Sequence, residues 1–234
     1  PQSATALRPE TISPQATRPP APATTGGEAE RSRKPLYGKG IDAPKLNAVM
    51  AVYFFATYTV LAVAFNLPFL MQHYGMSSSA SGMMISIFFL AIMLPGFFIT
   101  QILDRLGRNS VFISFGMITA GLALILLLHR EPVIALGSFL VGAGYGILQP
   151  IAYDKTVIIA RPDKAIFALS LTMAASYLAI VVYPFIMAFF QGIFDDTSAS
   201  FPFLVNGILT LLVAVAGYRY RHTFTFGVDP SKLK

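Results

Sequence analysis

The 234-residue chain has no cysteine. That absence removes disulfide frameworks, thiolate metal sites and cysteine nucleophiles, and it leaves the redox compartment unmarked. There is no Asn-x-Ser/Thr sequon either. Charge is scarce: Asp, Glu, Lys and Arg make up 12% of the residues, against about a quarter in an ordinary soluble domain. The three histidines, His73, His129 and His222, stand apart at the ends of apolar runs, and the adjacent acids Asp195 and Asp196 have no histidine near them in the sequence. No converging catalytic set or metal site can be assembled from them. "GAGYG", residues 142–146, lies inside an apolar run and follows no strand, so it is no phosphate loop and implies no nucleotide-driven pump. The chain therefore reads as a non-enzyme with no cofactor.

What fills the sequence instead is apolar. Hydrophobic residues account for 55% of the chain and mean hydropathy is +0.63. Runs of about eighteen or more uncharged residues recur, and roughly twenty helical residues cross a hydrocarbon core of about 30 Å. The predicted fold is all-α and polytopic, with six transmembrane helices at about 46–71, 80–103, 111–128, 132–159, 165–194 and 201–218. Pro132 suits a first helical position, where its missing N–H is not needed. Residues 1–45 are largely Pro, Ala, Thr, Ser and Gly, a composition that cannot bury enough surface to offset its ordering entropy. They read as a disordered cytoplasmic linker, interior to a longer chain or exposed by truncation, and residues 219–234 as a polar, basic cytoplasmic tail.

The net charge of +6 reports orientation, not nucleic acid. Six crossings place linker, tail and the loops around Asp104 and Arg161 on one face. All seventeen Lys and Arg except Arg130 then lie on that face. By the positive-inside rule it is cytoplasmic, in a cell membrane taken to be a bacterial inner membrane. Five or seven crossings would scatter the charges over both faces.

One inner loop, "DRLGR" at residues 104–108, carries more than positive charge. Arg105 and Arg108 follow from topology, and Gly107 gives the turn a left-handed backbone. Asp104 follows from neither, since an acid at a membrane boundary is costly unless paired. Asp-Arg-x-Gly-Arg between two helices resembles the loop between the second and third helices of each six-helix half in the major facilitator superfamily. The match departs at Thr100, where a small Gly is usual, and at Asn109, where a basic residue is. "RPDKAIFALSLTMAASYLA", residues 161–179, is similar to the start of the fifth helix of such a half.

The resemblance implies a transporter built of two six-helix halves that rock about a central cavity. This chain would supply the second half, its missing partner being an N-terminal half; a natural half-transporter is the other reading. It implies that Asp104, Arg105, Gly107 and Arg108 form a conformational gate, with Asp104 latching onto a helix end of the opposite half. It also implies that the first, second, fourth and fifth helices line the cavity while the third and sixth lie outside. On the fourth, Tyr145, Gln149 and Tyr153 are four apart and share a face. Pro150 loosens the helix below it. Gly142 and Gly146 form a Gly-x-x-x-Gly pair for close packing. On the first helix Tyr58, Phe65 and Asn66 share a stripe next to Pro68; on the fifth, Ser170, Met173, Tyr177 and Pro184 do.

Asp154 is the sole carboxylate expected inside a crossing. Adjacent side chains do not align on a helix, so Lys155 is expected to snorkel to the headgroups while Asp154 turns inward to Arg105, Arg108 or Arg161. Any proton-coupling residue then belongs to the missing half. Phenols, amides and hydroxyls suit a neutral or amphipathic organic molecule, which favours an exporter. Uptake of a sugar or organic acid, a channel, and a non-transporting scaffold or receptor subunit are the alternatives. Lipids and the small-molecule substrate complete the expected partners.

Overall fold

The computed structural model describes residues 40–219, apart from the Arg108 side chain. Residues 1–39 and 220–234, which hold most of the expected linker and tail, lie outside the described residues. Among the described residues, six helices are long and apolar enough to cross a membrane: α1 (Ala43–His73), α2 (Ser78–Phe97), α3 (Ser110–Leu127), α4 (Glu131–Ile159), α5 (Ala165–Phe194) and α6 (Phe201–Arg219). A helix satisfies every interior backbone group within its own segment, which hydrocarbon demands. The ends are closed locally. Ser77 Oγ accepts the Ala80 N–H at 3.2 Å ahead of α2. Asp195, at φ 50°, stops α5, and the Asp196 carboxylate takes the Ser198 N–H at 2.8 Å in the turn that follows.

Two helices depart from regular geometry, each next to a proline. Residues Ala62–Asn66 of α1 form a π-helical turn directly before Leu67 and Pro68. Pro68 has no N–H for the Ala64 carbonyl, and a local widening of the helix is a usual accommodation. The second apolar run does not continue unbroken to Leu103. Pro95 withholds a donor from its last turn, the helix ends at Phe97, and a separate short helix, Ile99–Leu106, carries Asp104 and Arg105.

At the centre is α4, which packs against α1, α2, α3 and α5. Glycines allow this. A Cβ on Gly142 or Gly146 would run into the Phe88 or Ile92 carbonyl oxygen of α2. On another face, a Cβ on Gly144 would lie 2.6 Å from the Ser114 carbonyl oxygen of α3. Small residues thus bring helix backbones into direct contact, where van der Waals packing supplies the association that lipid does not. Elsewhere α1 pairs with α5 and α3 with α6. Outward, α5 exposes Val181, Phe185 and Phe189, and α6 exposes Ile208, Leu212 and Val215.

Candidate functional site

Tyr145, Gln149 and Tyr153 do lie along one side of α4, and what they meet is a tyrosine on α1. Tyr53, buried, places its hydroxyl 2.9 Å from that of Tyr153. The Tyr145 hydroxyl donates to it at 3.4 Å and lies 3.1 Å from Thr57 Oγ1. Gln149 Nε2 donates to the Tyr153 hydroxyl at 3.4 Å. The rings of Tyr53 and Tyr145 stack with centroids 6.1 Å apart, and Tyr153 meets Tyr53 edge-on at 5.4 Å. Thr57 is held by its own bond to the Tyr53 carbonyl at 2.9 Å, one helical turn back.

A second polar group joins α1 to α5 and α6. Asn66, the last residue of the π-turn, donates to the Tyr183 hydroxyl at 2.7 Å. Tyr183 packs on Tyr58 at 5.1 Å and on Phe65 at 5.8 Å. Buried Asn206 of α6 donates to the Pro202 carbonyl at 2.7 Å and touches Met187 of α5. Tyr58 is fully enclosed, and its hydroxyl has no hydrogen-bond partner among the described residues. The stripe of Tyr58, Phe65 and Asn66 is therefore split: Tyr58 is buried, while Phe65, beyond the start of the π-turn, is exposed. Tyr177, at 66% exposure, joins neither group. Ser170, Met173 and Pro184 are exposed along the same helix.

Lys155 and Asp154 are reversed from expectation. The Asp154 side chain is 58% exposed and that of Lys155 only 15%, with Nζ and Oδ2 3.4 Å apart. Lys155 lines a niche with Val49, Val52 and Tyr53 of α1 and Val111 of α3. Position 155 falls on the side of α4 that faces α1 and α3, in step with Leu148 and Ile151, so the helix phase turns lysine inward and aspartate out. Arg161 does not reach Asp154; it is exposed and pairs loosely with Asp163 at 3.8 Å.

In the gate loop, Asp104 and Arg105 are exposed, and no ion pair forms to either among the described residues. Gly107 takes φ 50°, a backbone that favours glycine. The Arg108 side chain lies outside the described residues. No group of three or more His, Asp or Glu able to hold a metal occurs among the described residues.

Sequence reasoning missed Tyr53, Thr57, Tyr183 and Asn206. Periodicity within one helix does not reveal which neighbour it faces; the surplus of hydroxyls and amides in α1 was the available signal. The two groups can donate and accept hydrogen bonds and present aromatic faces. Neither contains a carboxylate.

None of the curated proteins compared with the chain matches it. The sequence profile of the Major Facilitator Superfamily matches residues 49–231, a stretch that includes all but the first turns of α1 and takes in the DRLGR loop and both tyrosine groups. With six apolar helices among the described residues, four of them packed on α4, and that match over most of its length, this chain belongs to the major facilitator superfamily of membrane transporters.

Proposed function

We propose that the chain is the C-terminal half of a secondary active transporter, an exporter of small neutral or amphipathic organic molecules. The observation that carries this reading is the Tyr53–Tyr145–Gln149–Tyr153 group on α1 and α4. It is a cluster of phenols and an amide without a carboxylate, on two helices that would line the central cavity of such a fold. Asn66 and Tyr177 extend the proposed lining towards α5, while the enclosed Tyr58 packs behind Tyr183. Both chain ends are cytoplasmic in this reading, the counterpart N-terminal half supplies the other cavity wall and any proton-coupling acid, and the membrane is a bacterial inner membrane. On the inner side of this lobe Asp154 then pairs with Lys155 and Arg161 with Asp163, rather than with each other.

The rival reading is an uptake permease for a sugar or an organic acid. Efflux of a neutral amphipathic dye from cells making the complete protein distinguishes the two. Energised dye efflux is expected; uptake of a sugar or an organic acid with no effect on the dye overturns the exporter reading.

The gate is tested in the same protein. Asp104, exposed and unpaired in this lobe among the described residues, would meet the positive end of a helix in the opposite half, an interaction worth about 1 kcal/mol. Asp104→Asn is expected to shift the ratio of inward- to outward-facing forms about fivefold, as read by spin-label distances. An unchanged ratio removes the latch.

A further inference from the structure

The chain entering α1 is tied to the loop that leaves α4. Ile41 pairs with Ala160 in an isolated antiparallel bridge, and the Arg161 N–H donates to the Gly40 carbonyl at 2.9 Å. Both bridge residues are buried, in one apolar cluster with Leu46 of α1 and Ala168 of α5, flanked by Met50, Ile159 and Leu171. Three helix ends thus meet beside this backbone hydrogen bond, with the bridge pair Ile41 and Ala160 buried between them. Gly40 takes φ +114°, and a Cβ there would also sit 2.8 Å from Arg161 Cδ. Only glycine fits beneath that arginine without strain. Next in the chain, Asp42 holds the first turn of α1 through its ion pair with Lys45 at 2.8 Å.

Composition alone assigned this stretch to a linker, yet a linker needs none of these contacts. We propose that Gly40–Ile41 is a strap that locks the adjoining ends of α1, α4 and α5 into one block and keeps them together in every state of the lobe. A pull on the chain ahead of α1 then reaches α4 and α5 and does not unwind α1 alone. The strap itself stands on the packing; its persistence through every state rests on the transport reading above.

Hydrogen exchange on the complete protein tests the strap without any substrate. In the wild type the Arg161 amide is expected to exchange at least about tenfold more slowly than in Gly40→Val. Equal rates in the two proteins overturn the proposal. A second variant decides where Gly40→Val fails to fold. A bridge pair of this kind sets its Cα atoms about 4.5 Å apart, within disulfide reach. In a chain without cysteine, Ile41→Cys with Ala160→Cys is expected to crosslink almost completely, in protein trapped inward-facing and outward-facing alike. Failure to crosslink overturns the strap. Crosslinking in one trapped state alone overturns its persistence and leaves the transport reading intact.

Discussion

Gly146→Leu is expected to lower the thermal unfolding midpoint of the detergent-solubilised protein by roughly 5–10 °C and to cut the yield of folded material. The side chain would enter the contact where the α4 backbone meets the Ile92 carbonyl oxygen, carbonyl carbon and Cα of α2. Backbone atoms cannot swing aside as a side-chain tip does, so the two helices must part. Parting them strips contacts along α2 as far as Phe88 and Ala91, which Gly142 meets one turn away. Overpacking of this kind costs about 1–3 kcal/mol. Gly82→Ala provides the control: a Cβ there meets nothing within 4 Å, and the midpoint is expected to stay where it is. A Gly146→Leu protein as stable as wild type would show that α2 and α4 do not approach so closely.

Tyr53 carries the second large effect, and two substitutions separate its structural part from its functional part. Tyr53→Ala removes a buried ring that stacks on Tyr145 and meets Tyr153 edge-on. Truncating a large buried aromatic costs about 3–5 kcal/mol, so this variant is expected to be poorly folded. Tyr53→Phe keeps the ring and removes the hydroxyl that Tyr145 and Tyr153 share. Hydrogen bonds between membrane helices average about 0.6 kcal/mol, so two of them amount to roughly 1 kcal/mol. The phenylalanine variant is expected to fold. Its apparent affinity for the transported molecule should weaken about fivefold, because Tyr153 and Gln149 lose the anchor that orients them. Transport with unaltered affinity in Tyr53→Phe would take the phenol group out of the binding surface.

The sequence made the crossings legible because length and hydropathy are local properties: about twenty apolar residues bounded by "HYGMSSS" or "HREP" read as a span wherever the span packs. The Gly142 and Gly146 pair was legible for the same reason, since small residues one turn apart make a close face whatever lies opposite. Partner choice was not legible. Tyr145, Gln149 and Tyr153 announce a stripe on α4, but that stripe meets Tyr53 only because α1 and α4 are neighbours, and no periodicity encodes neighbourhood. Prolines carried half their message. Pro68 stood out beside the α1 stripe and widened that helix into a π-turn, whereas Pro95 was passed over inside the expected 80–103 span and ended α2. The outcome depends on which groups nearby can take up the orphaned carbonyl.

The reversal of Asp154 and Lys155 has a similar origin. Adjacent residues point about 100° apart on a helix, and the choice between them follows the phase of the whole face. That phase is set by Leu148 and Ile151, which line the niche beside Lys155. Rules about snorkelling lysines describe helices facing lipid, whereas this side of α4 faces α1 and α3. Gly40 and Ile41 were lost to composition for a different reason. A two-residue bridge is too short to leave a pattern, and its partner lies more than a hundred residues away at Ala160.

Single-cysteine labelling most directly tests whether the polar side of the lobe lines a water-filled pathway. The chain has no cysteine of its own, so each introduced thiol reports alone in the complete protein. Gln149→Cys and Tyr177→Cys are expected to react with a water-soluble maleimide, at rates that differ between inward- and outward-facing forms. Ile208→Cys and Leu212→Cys, on the exposed apolar side of α6, are expected to stay unmodified. If Gln149→Cys proved as inert as Ile208→Cys in both forms, the tyrosine and amide groups would be packing inside a closed bundle, and the proposed transport pathway would have to lie elsewhere.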